Sequence, residues 1–335
     1  MELLKKLVEM SGVSGREERI REVVIEELTP LVDTLRKDSL GNVIGFKAGT
    51  GPAPRKKIML AGHMDEIGFY VSYIDDKGFI RFNPAGGFDP RTLMAQRVTV
   101  QGRKDLPGVI GSKPIHILSA EEKKKPLELK DYFIDLGLPK EEVDELVKLG
   151  DTITLYRKME EMGNCYTAKT FDDRVGVYCM IEALRKIKSC PADLYVVGTV
   201  QEEVGLRGAG ASSSGICPDV GIALDVTLAN DLPGSPPQDH ISHMGEGCAI
   251  SILNAAVITN PKLLKRFEQL AEEKEIKYQM DALPKGGTDA GAIQKAPGGS
   301  AVITLSIPCR YVHSSVETVH KDDIQATIDL LATYL

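Results

Sequence analysis

Tryptophan is absent from this chain and aromatic residues make up only 5% of it, which speaks against a sugar-binding cleft, where flat rings stack on the substrate. No block of five or more like charges occurs and the formal net charge is -7, so no footprint for nucleic acid or a polybasic membrane anchor is present. No run of about 18 apolar residues is found, and the amphipathic start Met1-Glu2-Leu3-Leu4-Lys5-Lys6 does not read as a secretory leader. A cytoplasmic location is expected. The six cysteines, at 165, 179, 190, 217, 248 and 309, form no C-x-x-C pair, and buried, reduced thiols are expected in place of disulfides or a zinc ribbon. H-E-x-x-H, G-x-S-x-G and G-x-x-x-x-G-K-[ST] are also missing, which removes three common hydrolase and nucleotide-binding classes.

What is present reads as α/β. Ser14 and Glu17 are spaced as a capping box, ahead of Ile20, Val23, Val24 and Leu28 at helical intervals. Ile58-Met59-Leu60-Ala61 is a short continuous apolar run of the kind a central, doubly covered strand shows. From about Glu66 to Gly163 the texture changes to alternating apolar residues such as Phe69, Val71 and Tyr73, with turns such as Asp75-Asp76-Lys77-Gly78. From Asp173 onward, strands and helices alternate to the end. The expected architecture is a mostly parallel sheet with helices on both faces, interrupted by a small β-rich insert: residues 1–65 and 164–335 form the main domain and 66–163 the insert.

In open α/β sheets, ligands bind beyond the carboxyl ends of the strands, so the residues that follow each apolar run are the informative ones. Here they are His63 and Asp65, then Glu202 and Glu203, then Asp225; Asp172-Asp173 opens a helix and His313 follows the strand ending near Ile307. Each alone has a structural explanation as a helix cap or a hydrogen-bonded polar residue. Gathered at one sheet edge, the carboxylates would repel one another unless cations neutralised them. Two histidines with several carboxylates make a mixed N/O donor set suited to zinc, cobalt or manganese.

Six ordered motifs then resemble the tetrahedral or deblocking aminopeptidases, a family of co-catalytic dinuclear zinc peptidases. They are Gly62-His63-Met64-Asp65-Glu66-Ile67-Gly68, Phe171-Asp172-Asp173-Arg174-Val175-Gly176, Gln201-Glu202-Glu203-Val204-Gly205-Leu206-Arg207-Gly208, Ala223-Leu224-Asp225-Val226-Thr227, Gly286-Gly287-Thr288-Asp289-Ala290 and Arg310-Tyr311-Val312-His313-Ser314. The resemblance implies two divalent metal ions per subunit, zinc or cobalt. Asp172 would bridge them, His63 and Asp225 completing one site and Glu203 and His313 the other. A bridging carboxylate suits two cations roughly 3.5–4 Å apart, which together ionise water and polarise a carbonyl. Glu202 would be the general base, and Asp65 would accept the second imidazole N–H of His63. The Asp172–Asp173 peptide is expected to be cis.

The resemblance further implies removal of N-terminal residues, acidic or leucine-like, from short peptides. It also implies a homo-oligomer, a tetrahedral dodecamer built from dimers paired through the insert. Some relatives carry the label endoglucanase, but a glycosidase needs two carboxylates and no metal, which would leave both histidines idle. A non-catalytic binding protein on this scaffold is opposed by the intact Glu202 and five ligands. Asp289 and Arg207 are either polar groups near the substrate or structural loop residues, and His240 with His243 are expected to serve their loop, with the substrate entrance as the alternative. His116 and His320 are expected to be structural.

Overall fold

Four apolar strands, Asp193–Thr199, Lys57–His63, Val220–Leu228 and Ala301–Arg310, run side by side and parallel at the centre of an 11-stranded sheet. The computed structural model describes residues 1–335. These strands are buried almost end to end, which is what their near-continuous apolar sequences require. Outside them the pairing turns largely antiparallel. Thr34–Lys37 and Val43–Lys47 flank one side, and Glu317–His320, Cys165–Ala168 and Glu160–Met162 extend the other. Cys248–Leu253 pairs antiparallel with Ala301–Arg310 and carries Tyr278–Ala282 parallel on its outer side.

The sheet is therefore mixed, and the parallel character inferred from sequence belongs chiefly to its centre. The reason is connection length: parallel neighbours need a crossover, whereas Thr34–Lys37 and Glu160–Met162 each reach the next strand through a short turn.

Helices cover both faces. On one, the central helix Phe171–Lys186 is buried over nearly its whole length, packed among Glu2–Glu9, Glu18–Leu28, Pro261–Glu273 and Lys321–Tyr334. On the other, Arg207–Ile216 and Ala290–Ile293 enclose a smaller core around Met59, Ala61, Val197 and Ala223. No helix is long and apolar enough to cross a membrane.

Six strands, Gly68–Ile74, Ile80–Ala85, Arg97–Gln101, Asp105–Gly111, Phe133–Asp135 and Thr152–Leu155, close into a separate barrel. Alternate residues of Asp105–Gly111 point inward, the period-2 burial that barrel strands impose. The interior is filled by its own apolar cluster, including Phe69, Phe82, Val100 and Ile134. Glu121 to Lys125 are exposed, with Glu122–Lys124 forming a short 3-10 turn.

The capping box is a correction. The helix begins at Glu18 with no side-chain cap, Glu17 accepts the N–H of Gly15, and Ser14 donates its hydroxyl to Asp65 at 2.6 Å. A buried carboxylate from another element competes for the serine more strongly than a helix terminus does.

Candidate active site

The ladder between Lys57–His63 and Val220–Leu228 runs from Ile58 opposite Val220 to Ala61 opposite Ala223, and stops. Continued by two residues, the same register would set His63 against Asp225. The strands part there instead, and a crevice opens beyond their paired ends. His63 is held on its other side by pairing with Thr199, which places Glu202 and Glu203 on the turn just beyond the neighbouring strand. The start of Phe171–Lys186 enters the crevice with non-helical backbone at Asp172 and Asp173, and the peptide between them is cis. His313 arrives on the turn after Ala301–Arg310, in the left-handed region with φ +61.

Asp172 stands between the two histidines. Its Oδ1 lies 2.9 Å from Nε2 of His63, and its Oδ2 lies 3.4 Å from Nε2 of His313. Nε2 of His313 is also 3.2 Å from Oε1 of Glu203, an oxygen that is buried and accepts no hydrogen bond. Nδ1 of His63 faces the carbonyl oxygen of Asp65 at 3.0 Å. A carbonyl can only accept, so Nδ1 carries hydrogen, and in the neutral ring Nε2 presents a lone pair to the Asp172 carboxylate. Two acceptors at 2.9 Å require a positive charge between or upon them. Donor atoms of His63, Asp172 and Glu203 lie within 4.8 Å of one another, as do those of His63, Asp173 and Asp225. The orphaned oxygen and the mixed N/O donor set both fit divalent transition-metal cations.

The electrostatics agree. Burial pushes the carboxyl groups of Glu202 and Asp225 well above their ordinary range, their acidic neighbours adding to it. Burial, joined by the Asp172 charge, also raises Glu203. Asp172 goes the other way, because hydrogen bonds and charge from both imidazoles outweigh its burial and lower it. His313 is raised to about 12: burial opposes its charged form, but the adjacent carboxylates of Asp172 and Glu203 prevail.

The side chain of Asp65 departs from expectation. Its carboxylate lies 3.6 Å from Nδ1 of His63, outside hydrogen-bond reach, and is engaged instead by the Ser14 hydroxyl and the backbone N–H groups of Glu202 and Glu203. Asp65 thus holds the His63 ring through its carbonyl and the Glu202–Glu203 turn through its carboxylate.

His63, Asp172, Glu202, Glu203, Asp225 and His313 all line one cavity of about 1290 Å³. Its walls include Leu228, Leu283 and Lys285, together with Phe88 and Arg91 from the chain between two barrel strands. Four residues weighed from sequence are not on that wall: Asp289, buried with its carboxylate on the Thr199 hydroxyl; Arg207, turned to Gln201; and His240 and His243, which face each other across 3.0 Å. His320 accepts the N–H of Asp322 as a helix cap.

Two buried acids had been given no role from the sequence. Asp173 accepts the N–H of His63 at 3.0 Å and of Gly176 at 3.1 Å, and a Cβ at Gly176 would fall 2.2 Å from its Oδ1. Glu317 accepts N–H groups from Asp172 and His313. The spacing Asp172-Asp173-x-x-Gly176 was the available signal for the first.

The chain is 41% identical to a putative aminopeptidase of Acetivibrio thermocellus, over 98% of this chain and 96% of that one. Its structure is similar to an aminopeptidase of the archaeon Desulfurococcus kamchatkensis, with a TM-score of 0.95, 42% identity and coverage of 99% and 93% of the two chains. It is similar too to the TET1 peptidase of Pyrococcus horikoshii, which can assemble into a tetrahedron or a large octahedral shell; the TM-score is 0.88, at 33% identity, covering 99% and 98%. Residues 41–330 match the family described as M42 glutamyl aminopeptidase, and the chain belongs to that family of peptidases.

Proposed function

We propose that the protein is a metal-dependent aminopeptidase that releases N-terminal residues from short peptides, with Glu202 as general base. The observation that carries this reading is the placement of Asp172 between the imidazoles of His63 and His313, beside Glu203, in the cavity that Glu202 and Asp225 also line. Asp172 would bridge two divalent cations, zinc or cobalt, with His63 and Asp225 completing one site and Glu203 and His313 the other. Such a pair of cations, when bound, polarises a substrate carbonyl and makes water ionisable near neutral pH.

The chain's own residues do the rest. Asp65 holds the neutral His63 ring through Nδ1 and so keeps Nε2 turned to the cluster. Glu202 has its backbone anchored on Asp65 and its side chain free toward the cavity, with Oε2 3.9 Å from Nε2 of His63. It takes a proton from the attacking water and returns it to the leaving amine. The walls at Leu228, Leu283 and Lys285 seat the N-terminal side chain.

Residues 66–163 would form the dimerisation insert between the two parts of the catalytic domain, 1–65 and 164–335. Support comes from the closed barrel with its own core and from the shell-forming relative. Six dimers would close a tetrahedral dodecamer in the cytoplasm, open to unfolded peptides.

Initial rates on a panel of aminoacyl anilides, after chelation and after return of Zn²⁺, Co²⁺ or Mn²⁺, test the activity. Hydrolysis should vanish on chelation and return with one of these metals. Full activity in a verified metal-free sample, or equal cleavage of N-acetylated substrates, would refute the reading.

A further inference from the structure

Glu317 opens the strand Glu317–His320, is 1% exposed, and is not among the residues lining the cavity. Its two carboxylate oxygens nevertheless engage two proposed metal ligands. Oε2 accepts the backbone N–H of Asp172 at 2.9 Å, and Oε1 accepts that of His313 at 2.8 Å. These ligands come from distant parts of the chain, one at the start of the central helix and the other on the turn after Ala301–Arg310. One carboxylate therefore sets the separation of their backbones.

The same device recurs around the cluster. Asp65 accepts the N–H of Glu203 at 3.2 Å, and Asp173 accepts the N–H of His63 at 3.0 Å. His63, Asp172, Glu203 and His313 thus each donate a main-chain N–H to a buried acid outside the proposed ligand set. Glu317 is the member of this scaffold whose carboxylate accepts the main-chain N–H of two ligands at once. His313 has φ +61, a left-handed conformation that a non-glycine residue keeps only where its surroundings hold it, and its N–H is the group that Glu317 accepts.

We infer that Glu317 is a positioning residue which, by clamping the backbones of Asp172 and His313 to one carboxylate, presets the spacing of the cation site those residues share. The inference rests on the two-cation reading of the cluster. Glutamine in its place offers one carbonyl oxygen and one amide NH₂, so one backbone N–H would face a donor, and its ligand would be released from its position. Aspartate keeps the charge on a shorter stem and cannot reach both N–H groups at these distances.

The experiment is a Co²⁺ titration of full-length, chelator-stripped protein, read by visible absorption and by metal content after gel filtration, for wild type, Glu317→Gln and Glu317→Asp. Wild type should take up two equivalents. In Glu317→Gln, one equivalent should weaken by about 10–100-fold, the usual scale for losing a group that orients a ligand, with an altered absorption band. Glu317→Asp should fall between the two. At saturating Co²⁺, KM should stay near the wild-type value while kcat is reduced, because Glu317 touches no substrate.

If the glutamine variant yields no soluble protein, the aspartate variant carries the test, its shifted equivalent supporting the inference. A wild-type titration by either soluble variant would overturn it. Wild-type protein that takes up no cation would overturn the two-cation reading and this inference with it, an outcome told apart because the wild-type curve is read by itself.

Discussion

Glu202 is tied to Asp65 through its main chain: the N–H of Glu202 donates to Oδ1 of Asp65 at 2.9 Å, so the proposed base is anchored from the neighbouring strand end while its carboxyl group stays free. That carboxyl group accepts no structural hydrogen bond that glutamine would disrupt. Glu202→Gln should therefore fold, keep both cations, and lose about 10²–10⁴ in kcat, the usual scale for removing a general base. Metal content by mass spectrometry, measured beside steady-state kinetics, checks this. A fall in metal content along with activity would make Glu202 a ligand.

Side-chain preference should respond to Lys285. Arg91, the other long cation on the cavity wall, is paired with Asp89 at 2.6 Å, whereas Lys285 sits on an exposed loop beside Leu283. Reversing its charge should favour basic over acidic N-terminal residues. For Lys285→Glu, the ratio of kcat/KM for glutamyl over lysyl anilide should fall by about tenfold, equivalent to roughly 1.4 kcal/mol in an accessible site. An unchanged ratio would place Lys285 beyond the substrate's reach.

Much of this arrangement was legible in the sequence, for identifiable reasons. Apolar runs such as Ile58–Ala61 must be central strands, and the rule that chemistry follows such strands led directly to His63, Glu203 and Asp225. The edge strands were harder to see. Thr34–Lys37 and Glu160–Met162 are short and largely exposed, so no apolar period marks them. The supporting acids were hidden for another reason. Asp173 and Glu317 act by accepting main-chain N–H groups, and nothing in local sequence says which distant backbone a carboxylate will meet. Ser14 shows the same effect in reverse, since a plausible local cap gave way to a partner 51 residues away.

A pH effect should arise at Asp281, away from the catalytic cluster. It is 2% exposed, its Oδ1 has no hydrogen-bond partner, and burial pushes its carboxyl to about 6 against the weaker pull of Thr227. Because the folded pKa exceeds the ordinary 3.8, the folded state binds the proton more tightly, so stability declines as pH rises between these values and stays lower above about 6. Asparagine cannot ionise and escapes this loss. Relative to wild type, Asp281→Asn should gain roughly 2 kcal/mol between pH 4.5 and pH 8, the linkage expected from a shift of this size. Urea unfolding at the two pH values measures it, and parallel pH dependence in both proteins would refute it.

The barrel makes the assembly testable without disturbing the cation cluster. Val109 and Tyr156 are each 47% exposed, and with Arg97 and Leu136 they line a second cavity, of about 730 Å³, on the barrel strands. Exposed apolar groups of this kind are what a subunit contact would cover. A carboxylate placed among them would lose its hydration once the contact formed, beside Asp105 and Asp135 and with Arg97 as the one cation on that wall, and loss of assembly is then easier than burial of the charge. Tyr156→Glu should therefore yield smaller particles than wild type in light scattering at micromolar concentration. Its cation equivalents should be unchanged, because neither Val109 nor Tyr156 lines the cavity that holds His63 and His313. A wild-type mass matching a tetrahedral dodecamer supports the proposed assembly, a larger shell would replace its symmetry, and a monomeric mass across a range of salt would refute it.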